Sequence, residues 1–216
     1  MKKSLLISPF EGSFASALAS AAQAAGWNLA LGLARNSAPP SQALEEGAGA
    51  VAVSYDPRSY VSASSLVLSA RNALGDIDAA ALVLDQGAAK TDFLAAKPGE
   101  LAALVEERCS GPLYLVRELV KRFEARGSGT ILLVAPESPR DAAPGPLAAL
   151  ADGAFEGLGR GLFAAAAGAR WLAYGLRDAS GQSEKAARYA LELIIEAKEA
   201  KSGRWLRYTG KSGIFG

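Results

Sequence analysis

Residues 4–35, SLLISPFEGSFASALASAAQAAGWNLALGLAR, carry the pattern on which the fold turns. A short apolar run, Leu5-Leu6-Ile7, stops at Pro9, Glu11 and Gly12. An alanine-rich stretch then keeps apolar residues at helical spacing as far as Ala25, and a second apolar run begins after Gly26. Strand, crossover helix and second strand, joined by links this short, form the repeating unit of a parallel sheet.

The same alternation continues outward. Strands are expected near residues 3–8, 28–34, 50–54, 79–84, 129–135, 170–174 and 204–208, and helices over 13–25, 58–74, 98–125, 145–167 and 183–200. Each strand run is short, apolar and free of interior proline, as a sheet covered on both faces requires. Pro39-Pro40 and the stretch from Pro136 to Pro146 read as loops, and no repeat or composition shift marks a second unit. The expectation is one α/β domain over 1–216, a Rossmann-like doubly wound parallel sheet of about seven strands. With half of its 216 residues apolar, the chain can bury a substantial core.

Composition narrows the function. Lys and Arg number 23 against 22 acids, so no net field draws the chain to nucleic acid or to an anionic membrane. The basic residues are scattered apart from Lys121-Arg122 and the group Lys201, Arg204, Arg207 and Lys211. Cys109 is the one cysteine and there is no histidine, so an internal disulfide and the usual zinc sets cannot be assembled. Cys109 is expected to be a buried structural thiol. Met1-Lys2-Lys3 looks like the start of a signal peptide, but the apolar run behind it is broken at once, and no stretch reaches the roughly twenty apolar residues of a membrane span. A cytoplasmic location is the expectation.

Several further pieces, taken in order, resemble the short-chain dehydrogenase/reductase superfamily over nearly the whole chain. They are Ser4 to Arg35, Asp56 after the third strand, Asp76-Ile77-Asp78 before the fourth, Gly129-Thr130-Ile131-Leu132 on the fifth, Glu156-Gly157-Leu158 with Arg160 on the next helix, and Ser202 to Leu206. The resemblance implies a nicotinamide dinucleotide site, yet the functional motifs depart from the family. Its glycine-rich turn, Gly-x-x-x-Gly-x-Gly, lets backbone amides approach the pyrophosphate at a helix N-terminus. Pro9, Ser13 and Ala15 stand at those positions. By resemblance the residues toward a cofactor would be Ser8, Ser13, Ala15, Arg35 at an NADP 2′-phosphate, Asp56 at the adenine, and Gly87, the surviving glycine of the motif after the fourth strand. The expectation is no cofactor or weakly bound NADP.

The family's chemistry uses a tyrosine proton donor, a lysine that lowers its pKa, a serine and an asparagine. Aligned on Gly111, Gly129 and Glu156-Gly157-Leu158, these places hold Ala148 for tyrosine, Asp152 for lysine, Pro136 for serine with Ser138 two residues later, and Arg108 for asparagine. No tyrosine in the chain has a lysine four residues on. An aspartate at the lysine place would raise a neighbouring phenol's pKa rather than lower it. Only about seven residues separate Gly175 from the next helix, too few for a substrate lid.

Arg108 and Asp152 either form an ion pair across the former active site, or Arg108 turns to solvent with Glu106 and Glu107. Gly153, Gly157 and Gly161 leave a bare helical stripe that fits close approach of another backbone, in the monomer or across the dimer interface that the family builds from this helix and the one after Gly111. The degenerate tetrad implies a non-catalytic structural, regulatory or ligand-sensing subunit, as a homo-oligomer (dimer or tetramer) or a hetero-oligomer with an active homologue. The alternatives are an oxidoreductase with altered chemistry through Ser138, Asp85 or Asp152, and a lyase or isomerase with Asp152 or Asp85 as base.

Overall fold

The computed structural model describes residues 2–34, 49–84, 92–137 and 145–210. The strands are β1 (Ser4–Ser8), β2 (Asn28–Ala34), β3 (Ala50–Tyr55), β4 (Ala79–Val83), β5 (Thr130–Pro136), β6 (Leu172–Asp178) and β7 (Trp205–Tyr208). The helices are α1 (Gly12–Ala24), α2 (Tyr60–Leu74), α3 (Pro98–Val105), α4 (Gly111–Arg126), α5 (Pro146–Ala166) and α6 (Ser183–Glu196). The seven strands are all parallel, in the order β3-β2-β1-β4-β5-β6-β7. The strand order therefore reverses between β1 and β4, which opens a crevice at their carboxyl ends.

Alternation along the strands divides the core into two layers. Leu5, Ile7, Leu29, Leu31, Leu132 and Val134 face α1 and α6, where Phe14, Leu18, Leu191 and Ile194 close over them. Leu6, Ala30, Leu82, Ile131 and Leu133 face α2, α4 and α5, meeting Leu66, Leu119, Phe123, Phe155 and Phe163. Local signals set the helix ends. The Ser59 side chain accepts from the Ser62 amide at the start of α2, Pro146 opens α5, and Gly127, at φ +72°, ends α4 in the left-handed conformation.

Three elements differ from the sequence expectation. The last helix, expected to reach 200, ends at Glu196, where Ala197 takes a left-handed φ of 43°. The helix expected over 98–125 is interrupted by a π-turn, Glu106–Ser110, in which the Gly111 amide bonds to the Glu106 carbonyl. The wide turn adds a residue without breaking the axis, so the helical pattern of the sequence runs through it unmarked. Strand β6 extends beyond 174 to Asp178, because Arg177 and Asp178 stay in register with Arg207 and Tyr208 although their polarity ends the apolar run. Ala179–Gln182 alone then link β6 to α6, which leaves no room for a lid, as expected.

Trp205 on β7 is wedged between α5 and β6. A Cβ at Gly159 would lie 2.7 Å from its ring, and one at Gly175 would enter the ring, so both positions are bare because the indole fills them. Phe155 and Phe163 pack against it at centroid distances of 6.2 and 5.8 Å. Among the described residues no helix is long and apolar enough to cross a membrane.

Candidate functional site

The crevice at the strand-order reversal is lined by Ser8 at the end of β1 and Pro9 and Glu11 after it, by Tyr55 and Leu84 at the ends of β3 and β4, and by Arg108 and Phe155 from the helical segments. Among the described residues, side chains and backbone fill much of it. The Tyr55 hydroxyl reaches across β2 to Ser8 Oγ at 2.8 Å, passing over Gly32, where a Cβ would lie only 2.8 Å from that same oxygen. Burial pushes the Tyr55 phenol up to about 12; the Ser8 hydrogen bond opposes the shift, and the charges of Glu11 and Glu107 add to it. The Phe10 side chain is buried under β2, and its amide donates to the Gly32 carbonyl at 2.7 Å. About 40 Å³ remains among these residues, room for a water or two, whereas ligand pockets run to roughly 300 Å³ and above.

A second cluster lies where β6 leaves the sheet. Arg177 donates to Asp152 at 2.5 Å and to Glu156 at 3.1 Å, and its guanidinium stacks 4.8 Å from the Trp205 ring centroid. Glu156 also accepts from Arg160 at 2.6 Å, and the Arg160 bond, ahead of partial desolvation, holds its carboxyl below the usual range together with Arg177. Arg177 is thus clamped between two carboxylates and an indole.

No family model matches the chain, and no curated protein matches it in sequence. Solved structures do match in shape. A short-chain dehydrogenase from Rhodopseudomonas palustris superposes with TM-score 0.82 at 14% identity, over 97% of this chain and 99% of its own. A 3-ketoacyl-(acyl-carrier-protein) reductase from Brucella melitensis, solved with NADH, gives 0.79 at 20% identity, over 98% of each chain. A short-chain dehydrogenase/reductase from Sinorhizobium meliloti gives 0.74 at 17%, over 98% of this chain and 97% of its own. The fold is that of the short-chain dehydrogenases and reductases.

On that fold the described residues among those expected at the dinucleotide make contacts within the chain. Ser8 holds Tyr55, Ser13 Oγ bonds Ser183 Oγ at 2.8 Å across to α6, and Ala15 is fully buried in the core. Asp56 fixes a turn, its carboxylate accepting from the Arg58 amide at 3.0 Å and from the Arg58 guanidinium at 3.1 and 3.2 Å. Arg35 and Gly87 lie outside the described residues. Pro9 has no amide to offer, the Phe10 amide is used, and Glu11 places a carboxylate before the first turn of α1. Among the described residues, the turn after β1 does not offer the glycine-rich cradle that fits a dinucleotide pyrophosphate.

At the short-chain dehydrogenase/reductase catalytic places, Ala148 lies in the first turn of α5 and Pro136 ends β5; Ser138 and Asp85 fall outside the described residues. The expected Arg108–Asp152 ion pair is not formed. Asp152 is taken by Arg177, while Arg108 Nε lies 3.7 Å from Glu107, with only 14% of its side chain exposed. Arg108 does not turn to solvent either: it lies within the π-turn and lines the crevice. Cys109 is half-covered rather than buried, and partial burial raises its thiol pKa.

Sequence reasoning missed Arg177, and it missed a tyrosine–lysine contact made by residues far apart in the chain. Tyr60 Oη donates to Glu118 at 2.6 Å and accepts from Lys121 Nζ at 3.2 Å. Burial pushes the Glu118 carboxyl up, but hydrogen bonds from Lys121, Tyr60 and Ser64 outweigh it and hold the carboxyl below its usual range. This trio joins α2 to α4, and none of its members lines the crevice. The Gly153, Gly157 and Gly161 stripe is exposed, and a Cβ at any of them would meet nothing within 4 Å, so the stripe faces away from the sheet.

Proposed function

We propose that this chain is a non-catalytic protein on the short-chain dehydrogenase/reductase fold, serving in the cytoplasm as a structural, regulatory or ligand-sensing subunit. One observation carries the reading. Where the fold's reduction chemistry places an ammonium beside a phenol, this chain has a carboxylate, Asp152, locked to Arg177, and Ala148 supplies no phenol. The use of Asp152 as the base of a lyase or isomerase loses support for the same reason, because its carboxylate is occupied by the Arg177 guanidinium.

The proposal includes an oligomer, either of this chain or with an active homologue, formed through the outer face of α4 and α5. There Leu113 and Leu150 are 51% and 50% exposed beside the bare glycine stripe. Light scattering on the purified protein should give a multiple of the 22.2 kDa chain mass, and a single 22.2 kDa species excludes the homo-oligomer. Incubation with NADH or NADPH and a panel of ketones and 3-ketoacyl thioesters should give no cofactor oxidation.

A second reading, an oxidoreductase with altered chemistry, draws on the dehydrogenase and reductase names of the structural neighbours. Turnover in that assay by protein free of contaminating enzymes would establish it in place of the first.

A further inference from the structure

We propose that the trough between α1 and α6 is a docking surface for this chain's own residues 211–216, with Ile214 and Phe215 as its apolar anchors. The trough lies on the face of the sheet opposite α4 and α5, away from both the Arg177 clamp and the proposed subunit contact.

A surface helix ordinarily turns charged residues to water, yet Gly12–Ala24 holds no charged residue at all. Its outer side is made of small residues, Ser13, Ser16 and Ser20 exposed and Ala17 and Ala21 half-buried, which together with α6 leave an open trough of about 830 Å³. Leu191 lines it from α6, and Ile195 there is 46% exposed. Large apolar side chains fit this space, unlike the 40 Å³ crevice. The Ser13–Ser183 bond marks its mouth, where α1 and α6 both begin. The chain leaves β7 at that same mouth. Gly210, bent at φ +79°, lies against Ser180 and Gln182, so that a Cβ there would be 3.2 and 3.3 Å from them, and Gln182 directly precedes Ser183. Ile214 and Phe215 follow four and five residues later, a reach of about 13–18 Å. That exceeds the roughly 10 Å width of a helix, so both can pass the end of α6 and enter the trough. They are the large apolar residues of Lys-Ser-Gly-Ile-Phe-Gly, and its single charge, Lys211, comes first, suited to the exposed Glu184 at the mouth.

The test is a disulfide cross-link in the full chain carrying Cys109→Ser. Ser20→Cys, in the trough, is paired with Gly216→Cys, and a control pairs Gly216→Cys with Leu68→Cys on the opposite face. Under mild oxidation at low protein concentration, the trough pair should close within one chain while the control stays reduced. Adding Ile214→Ser and Phe215→Ser should slow closure by about tenfold, since the apolar anchors are lost. Melting curves confirm that each variant is folded. No closure, equal closure in the control, or closure unaffected by the two serines would overturn the proposal. A cross-link found only between two chains would assign the trough to a second copy and overturn docking within the chain. Hydride transfer by wild type bears on the non-catalytic reading alone, so the two can fail separately.

Discussion

Asp152→Lys restores the residue type of an active short-chain dehydrogenase/reductase, and the expected outcome on the proposed reading is a destabilised protein that gains no reductase activity. The substitution removes the bond to Arg177, whose side chain is 16% exposed, from a partner that is 46% exposed. A hydrogen bond between charged groups contributes roughly 1.5–3 kcal/mol when well covered; halved for the exposure of Asp152, this is about 1 kcal/mol. The new ammonium then faces a guanidinium held by Glu156 and Trp205. At about 4 Å such a pair costs between ~1 kcal/mol in water and ~4 kcal/mol near a protein surface, and the lysine will relieve most of it by swinging outward. The total is about 2 kcal/mol, or ~4–8 °C in melting temperature for a chain of this size. Asp152→Asn, which keeps an acceptor for Arg177 but loses the charge and adds no repulsion, should fall by no more than about half as much. Differential scanning calorimetry of the three proteins, with a reductase assay of the Ala148→Tyr/Asp152→Lys double variant, checks the reasoning. A lysine variant as stable as wild type would show that the Arg177 clamp does not matter, and activity in the double variant would show that the site was vacant rather than rebuilt.

Gly175→Ala drives a methyl into the Trp205 ring and should cost about 1–3 kcal/mol, whereas Gly157→Ala, with open space around it, should stabilise the isolated subunit by about 0.5–1 kcal/mol. If the glycine stripe lies in a subunit interface, light scattering on Gly157→Ala should at the same time show a weakened oligomer. Because the Tyr55 phenol titrates near 12 when folded and near 10 when unfolded, its contribution is fully present below pH 10 and is lost as pH rises from 10 to 12, by up to about 3 kcal/mol. Tyr174 is pushed up to about 12 by burial and the nearby Glu196 and Glu199, and it loses stability over the same interval. Urea titrations across that interval should therefore show a shallower decline for Tyr55→Phe than for wild type, and identical slopes would refute the assignment.

Strand positions were legible because parallel strands buried on both faces are written as uninterrupted apolar runs, and each run reappears within a few residues of its place in the sheet. The π-turn at 106–110 left no mark, since one extra residue in a helix changes no composition; Arg108 lies within it, and its expected partner Asp152 is taken by Arg177. Arg177 carried a signal that went unread. It follows Ala173 and Gly175 at two-residue spacing, which places it on the α5 face of β6, where the charge gained at 152 needed a partner. The Tyr60–Glu118–Lys121 contact joins residues 58 positions apart on two helices, and no local pattern encodes a helix crossing. The crevice was legible in what its motif lacks, the glycines, but not in what fills it, because the Ser8–Tyr55 bond depends on a bare Gly32 in the strand between them.

The Trp205 wedge imposes an order of assembly. Its slot is built from α5 and β6, which precede it in the chain, while the indole arrives only with the last strand. During synthesis the groove between Gly159 and Gly175 therefore waits empty, with Phe155 and Phe163 uncovered, and a product truncated before residue 205 would keep that sticky seam and become a target for chaperones or for aggregation.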